Sequence, residues 1–155
     1  SNVLHACVQF TIEMGLLLAI LLVAGSPFLP WLPVVVLTSV LLAIFATGIA
    51  MALSVLAVYF RDMSYLWAIV VQVWFWATPI VYPPTLLETE APAWINNILQ
   101  FNPMNGFIEV YRRCLYDAAA PGLTTMLGLV AISFVSLLIG WSIFARMSRR
   151  LPEEV

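Results

Sequence analysis

Four long apolar runs constrain this chain more than any other feature of its sequence. They cover about residues 6–24, 34–59, 64–80 and 123–145, and a helix that crosses a bilayer needs roughly 20 mostly apolar residues. With 63% apolar and only 9% charged residues, the chain carries more apolar surface than a soluble domain can bury. The sequence therefore predicts an all-α integral membrane protein with four transmembrane helices in one domain over residues 1–155.

Two other membrane classes do not fit the sequence. It lacks the ten-residue alternating segments of an outer-membrane barrel. The first apolar run lacks the basic flank and small-residue cleavage site of a signal peptide, so we interpret it as a true span. The chain begins with Ser1 and Asn2 rather than methionine, and we expect it to be a piece of a longer polypeptide.

The placement of arginines predicts the orientation. All basic residues are arginines, and three of them, Arg146, Arg149 and Arg150, follow the last apolar run. Since positive residues concentrate on the cytoplasmic side, the C-terminus is predicted to be cytoplasmic. Counting back through four spans places Arg61 and the N-terminus inside, and the segment 81–122 outside. Arg112 and Arg113 then lie on the external side, against the rule.

The external segment contains two short predicted helices, over residues 94–101 and 104–115. Proline at position 103 lacks a backbone donor and disfavours helix at Asn102, so the chain is expected to turn there. The second helix is amphipathic, with apolar residues at spacings of three and four. The resulting hairpin, about 94–117, has two possible placements. It is either re-entrant, buried in protein or lining a watery cavity, or it lies flat in the outer interface.

Polar residues beside or within the spans are candidates for function. Arg61 has a planar donor fork that suits anionic oxygens; its other possible roles are pairing with Asp62 and extending to lipid headgroups. Asp62 is predicted to cap the next helix. Glu13 lies inside the first span at a cost of about 3 kcal/mol, and we expect it to reach the interface or face the bundle interior beside Gln9. The other spans carry no titratable partner for a proton relay.

Aromatic and small residues have two interpretations each. Trp67 and Trp74, seven residues apart, share one face of the third span with Phe60 two turns earlier. They could line a path through the protein or belong to the interfacial aromatic belt. Small residues let helices approach closely. Whether those of this chain face a neighbouring helix or a second copy stays open. They are Ala43, Ala46, Thr47, Gly48, Ala50 and Ala52 in the second span, and Gly128 and Gly140 in the last.

Several kinds of chemistry find no support in the sequence. His5 is the only histidine, which leaves no histidine-based metal cluster. Cys7 and Cys114 are predicted on opposite sides of the membrane and cannot pair. There is no Walker-type glycine loop, and no basic stripe with interleaved aromatic residues that would indicate nucleic-acid binding.

Four motifs occur in a characteristic order: Tyr59-Phe60-Arg61-Asp62, the run from Trp74 to Pro83, Phe101-Asn102-Pro103-Met104, and Tyr111-Arg112. Together they resemble the membrane subunit of a type-2 ABC exporter of the polysaccharide, O-antigen and teichoic-acid branch. The resemblance implies a six-span permease, of which this chain would be the last four spans. The first two spans and the helix that contacts the ATPase would precede residue 1. It also favours the re-entrant placement of the hairpin.

The resemblance further implies a function and partners. The permease would be a homodimer in the bacterial plasma (inner) membrane, bound to two ABC ATPase subunits, and would move a polyprenyl-pyrophosphate-linked glycan outward. It would be no enzyme and would hold no cofactor, since ATP and magnesium bind the ATPase. The carried-over sites are a substrate path or headgroup site (Tyr59, Phe60, Arg61, Trp67 and Trp74) and an external gate (Asn102, Pro103, Glu109 and Arg112).

Other functions remain open on the residues alone. Another lipid or drug cargo would suit the same architecture. A membrane glycosyltransferase would need clustered acidic or histidine residues, and the external segment offers only scattered carboxylates. A non-catalytic assembly or channel subunit is also compatible, although no charge ring or carbonyl filter is evident. Glu109 can pair with Arg112 or Arg113 on one helix face in any of these cases.

Overall fold

The computed structural model describes residues 2–25, 27–78 and 102–147, and every regular element in these ranges is helical. Helix α1 spans Asn2–Val23, a short 3₁₀ turn covers Leu29–Trp31, and α2 spans Leu32–Tyr59. Helix α3 spans Met63–Trp76, α4 spans Pro103–Leu115, and α5 spans Leu123–Met147. The all-α prediction is confirmed.

Within those ranges, three helical segments are long and apolar enough to cross a membrane: Leu4–Val23, Leu29–Tyr59 and Leu123–Met147. The sequence predicted a further span over 64–80, but α3 has 14 residues and extends only about 21 Å, less than the roughly 30 Å hydrocarbon core. It ends where Thr78 Oγ1 donates to the Trp74 carbonyl at 2.8 Å. Residues 79 and 80 of that predicted span, and the first hairpin arm at 94–101, lie outside the described residues.

Helices α2 and α5 form the frame of the structure. Gly48 of α2 faces Gly140 of α5 so closely that a Cβ added to Gly140 would collide with the Gly48 backbone. One turn away, Ser136 Oγ donates to the Phe45 carbonyl at 3.0 Å. Because 45 faces 136 and 48 faces 140, the two helices run parallel. The small-residue faces at Gly48 and Gly140 are therefore used inside one subunit.

Helix α4 fills the groove between α2 and α5 with its apolar face. Phe107, Val110, Cys114 and Leu115 of α4 are buried, and they share one core cluster with buried residues of both neighbouring helices. The Phe45 and Phe107 rings lie 5.8 Å apart between centroids. This packing is what the amphipathic pattern of the segment predicts.

Two further contacts fix the direction of α4. Trp31 Nε1 donates to the Ala118 carbonyl at 2.8 Å, and the Tyr111 hydroxyl lies 2.9 Å from Ser39 Oγ. Ser39 donates its single hydrogen to the Val35 carbonyl, so Tyr111 is the donor in that pair. Taken with the Phe45–Phe107 contact, these pairs show α4 antiparallel to the first half of α2. Its N-terminus lies beside Phe45, about 20 Å along α2 from Leu32.

Helix α1 is attached at the edge of this unit. Met14, Leu18 and Leu21 pack against the core cluster, and most of its other described side chains are exposed. Glu13 is exposed and accepts a hydrogen bond from Gln9 Nε2 at 3.0 Å. Glu13 therefore lies beside Gln9, as expected, and faces away from the core that the described residues form.

The close contact of α2 and α5 predicts an asymmetry between two glycines of α5. Gly140→Ala places a methyl group against the Gly48 carbonyl and should lower stability by about 1–3 kcal/mol through overpacking. Gly128→Ala meets nothing within 4 Å and should be neutral or stabilise by up to about 1 kcal/mol through helix propensity. Thermal unfolding of the purified protein in detergent measures both, and equal effects would contradict the contact.

Candidate functional site

The end of α3 and the start of α4 meet at one side-chain amide, that of Asn102. Its Oδ1 accepts hydrogen bonds from Trp74 Nε1 at 2.8 Å and from the Met104 backbone N–H at 3.1 Å. Its Nδ2 donates to Thr78 Oγ1 at 3.0 Å and lies 3.5 Å from the Ala77 carbonyl. We call these five residues the Asn102 node.

Local sequence explains the Asn102 node. Asn102 has an extended backbone, with φ −71° and ψ 113°, and Pro103 occupies the first turn of α4. Asparagine at the N-cap followed by proline is a favoured helix start, because the amide oxygen satisfies a free backbone N–H and proline needs no acceptor there. On the α3 side, the Thr78 hydroxyl donates a hydrogen bond to the carbonyl four residues earlier, as threonine side chains in helical segments often do.

The node lies at mid-length of the longest helix. The Trp74 ring contacts Phe45 edge-on at 6.5 Å, and Phe45 is 13 residues from the start of α2 and 14 from its end. That is about 20 Å from either end of a helix long enough to span a bilayer. Polar groups at such depth are costly unless they are satisfied within the protein, and Asn102 satisfies groups at two helix ends at once.

A chain of aromatic rings leads into the node. Trp67 and Trp74 meet edge to face at 6.5 Å, a favoured aromatic geometry, and the contacts continue through Phe45 to Phe107. The two tryptophans lie on one face of α3, as their spacing predicted, and both are half-buried. Trp76 is turned away, 59% exposed.

The turn between α2 and α3 holds the other predicted path residues. Tyr59 ends α2, and Phe60, Arg61 and Asp62 follow; all four are exposed. Phe60 is extended, with φ −119° and ψ 106°, so the expectation that it continues the aromatic face of α3 is wrong: it precedes the helix. Among the described residues Arg61 forms no ion pair, so the predicted pairing with Asp62 is not seen.

Asp62 occupies the predicted N-cap position of α3 without a side-chain cap. Its side chain makes no capping hydrogen bond; the backbone carbonyl instead accepts from the N–H groups of Tyr65 and Leu66 at 3.1 Å. The predicted position is therefore right, but the carboxylate does not do the capping. An acidic group at this end of α3 is still favoured by the helix dipole.

The polar face of α4 carries an ion pair. Glu109 Oε1 lies 3.0 Å from Arg113 Nη2, with both side chains nearly half exposed. Of the two partners that the sequence offered to Glu109, the structure shows Arg113. An exposed ion pair at this spacing contributes about 1 kcal/mol or less to stability, so it would hold the predicted gate only weakly.

The structure thus groups some predicted residues and separates others. Trp74, Asn102 and Pro103 come together beside the middle of α2, and Trp67 is connected to them only through its ring contact with Trp74. Tyr59, Phe60 and Arg61 lie at one end of α2, and Glu109 and Arg112 lie further along α4. The sequence did not predict Phe45, Phe107 or Thr78 as site residues. For Thr78 a signal existed in the threonine that precedes proline, and the Asn-Pro helix start marked the place where its partner lies. No three potential metal ligands converge within the described ranges.

Comparison of the sequence with known proteins identifies the family of this chain. Residues 2–116 match the sequence model described as ABC-2 type transporter. The chain belongs to the ABC-2 type transporter family. Its helices of spanning length agree with a multi-pass membrane protein, and the resemblance drawn from the ordered motifs is confirmed.

Curated relatives of this ABC-2 protein carry more specific names. It is 29% identical over 145 residues to the O-antigen export system permease protein RfbA of Myxococcus xanthus, covering 89% of this chain and 54% of that protein. It is 27% identical over 154 residues to the protein of the same name from Klebsiella pneumoniae, covering 99% and 58%. The chain therefore spans a little over half the length of these relatives.

The Asn102 node predicts a large difference between two asparagines of one chain segment. Asn102→Ala removes the cap of α4 and the acceptor of the Trp74 indole, which should cost about 2–4 kcal/mol. Asn105→Ala is the matched control, because the Asn105 side chain makes no hydrogen bond within the described residues; its change should stay within about 0.5 kcal/mol. Unfolding in detergent compares the two, and similar losses would show that the node contributes little.

Proposed function

We propose that this chain belongs to the permease subunit of an ATP-driven exporter that moves a polyprenyl-pyrophosphate-linked polysaccharide outward across the bacterial inner membrane. The observation that carries the proposal is the Asn102 node, where the side-chain hydrogen-bonding groups of Trp74, Thr78 and Asn102 are all paired, beside the middle of α2 and next to a row of aromatic rings. Similarity to O-antigen export permeases over nearly the whole chain supports the cargo class.

The break also supports a membrane topology. In this proposal α1, α2, α3 with the residues that follow it, and α5 form four spans, and Asn102-Pro103 is the tip of a re-entrant hairpin with α4 as its outward arm. The lengthwise packing of α4 along α2 favours this over a helix lying flat in the interface. The parallel run of α2 and α5 puts the Arg61 turn and the C-terminal end of α5 on one side, which the arginine distribution assigns to the cytoplasm.

Exposed helix faces support a shared path between two copies. No residue of α3 is buried, and Tyr65 on this helix is 74% exposed. A span with so much free surface suits a partner subunit or a substrate path. In the proposal two permeases line that path with α1 to α3, two ATPase subunits bind ATP and magnesium, and the permease itself performs no covalent chemistry.

The aromatic rings and Arg61 have separate tasks in this scheme. Arg61, exposed at the cytoplasmic turn, gathers the pyrophosphate headgroup through charge-assisted hydrogen bonds. Trp67 and Trp74 offer apolar ring surfaces on which sugar faces can slide without fixed hydrogen bonds. The hairpin from Asn102 through Glu109 and Arg112 closes the outer end of the path.

Export is tested by removing the permease with its ATPase from cells. Lipid-linked polysaccharide should accumulate on the cytoplasmic leaflet, and the wild-type pair should restore surface glycan while a pair with a hydrolysis-dead ATPase should not. The sugars that accumulate identify the cargo. Normal surface glycan in the deletion strain would contradict the proposal and favour another lipid or drug cargo, or an assembly role.

The headgroup role of Arg61 predicts a charge requirement at one position. Arg61→Ala should lower export about tenfold by removing charged hydrogen bonds to phosphate, and Arg61→Lys should restore part of it. Arg146→Ala is the matched control, since Arg146 is also exposed and lies in the last turn of α5 on the same side of the membrane. Surface glycan measured at equal protein levels decides, and unchanged export in Arg61→Ala would reduce Arg61 to a turn residue.

A further inference from the structure

The described core divides the helices into two groups. Its buried cluster is formed by residues of α2, α4 and α5 together with Phe28. Helix α3 supplies no buried residue; its half-buried Trp74 packs against that cluster from outside. Close-packed apolar contacts therefore unite α2, α4 and α5, while α3 packs against their core cluster through Trp74.

Within the described ranges, the Asn102 node joins the end of α3 to the start of α4 by hydrogen bonds. Asn102 reaches Trp74, Ala77 and Thr78 on the α3 side and caps its own helix through Met104. If α3 moves away, the Trp74 indole N–H and one face of the Asn102 amide lose their partners. At mid-membrane depth such groups are tolerated only if water replaces the lost partner. Separation of α3 from α4 is therefore linked to the entry of water.

From this geometry we propose that the Trp74–Asn102–Thr78 hydrogen bonds form a latch that holds α3 against the rigid unit of α2, α4 and α5, and that the substrate path opens when the latch parts. The inference rests on the proposed export function. In this proposal the contact between α3 and α4 is the moving boundary, and the contact between α2 and α4 is the fixed boundary. Asn102 acts here as a positioning residue, which need not touch the cargo.

The structure supplies a pair of positions for each boundary. Thr78 and Asn102 lie across the latch, with Oγ1 and Nδ2 3.0 Å apart. Ser39 and Tyr111 lie across the fixed boundary, with their hydroxyl oxygens 2.9 Å apart. Both pairs join α4 to a neighbouring helix by one short contact between polar side chains, so a bridge of the same chemistry can be placed at each.

The experiment compares reversible bridges in the complete permease, co-expressed with its ATPase. Cysteine pairs replace Thr78 and Asn102, or Ser39 and Tyr111, in a background with Cys7→Ala and Cys114→Ala. A short bis-methanethiosulfonate closes each pair, and dithiothreitol opens it. Bridging across the latch is expected to stop export and dithiothreitol to restore it, whereas bridging Ser39→Cys to Tyr111→Cys should leave export at its unbridged level.

A second measurement separates the latch from the cargo. The rate of bridging between positions 78 and 102 should fall during ATP hydrolysis, relative to the 39 and 111 pair, whether or not a glycan is displayed. If the bridging rate falls during ATP hydrolysis but no glycan reaches the cell surface, the export proposal is overturned and the latch is kept. Full export with the latch bridged, or a bridging rate unaffected by ATP hydrolysis, would overturn the latch.

A probe in the protein without cysteine substitutions covers the case in which Asn102→Cys fails to reach the membrane. With 5-fluorotryptophan incorporated throughout, the resonance that disappears in Trp74→Phe reports on the indole at the latch. It should shift between the nucleotide-free and vanadate-trapped complexes. A resonance that stays in place would overturn the proposal.

Discussion

The contact between Gly48 and Gly140 is the constraint on which the other elements depend. Only because neither residue carries a side chain can α2 and α5 run parallel at such close range, and their approach creates the groove that receives the apolar face of α4. The depth of α4 in that groove then decides where its N-terminus lies. Contacts along that groove, from Trp31–Ala118 to Phe45–Phe107, place Asn102 beside the middle of α2.

Polar groups at that depth have few possible arrangements. In a bilayer every backbone N–H and carbonyl at a helix end needs a partner in the protein or a path for water. The Asn102 side chain supplies such partners at two places: it accepts from the Met104 N–H at the start of α4 and from the Trp74 indole near the end of α3. With both of its amide groups paired, Asn102 stabilises the contact between the end of α3 and the start of α4.

Sequence patterns predicted much of the helical content and less of the site. The apolar runs predicted helices close to those observed, but the run over 64–80 becomes a helix that ends at Trp76, since Thr78 turns its hydroxyl back onto the Trp74 carbonyl. The seven-residue spacing placed Trp67 and Trp74 together. The contacts of Phe45 and Phe107 with these rings were not predictable, because they depend on how far α4 slides along α2. The same holds for the choice of Arg113 over Arg112 by Glu109, which depends on side-chain conformation.

By itself the sequence determined that this chain is helical and enters a membrane, because its apolar runs and scarce charges leave no other way to solvate it. The order of its motifs also determined its family. Tertiary structure decided which glycines touch, where the hairpin arm sits, and that the Asn102 amide serves α3 as well as α4. Such pairings join residues more than 20 positions apart, and close packing of side chains, rather than any local periodicity, selects among them.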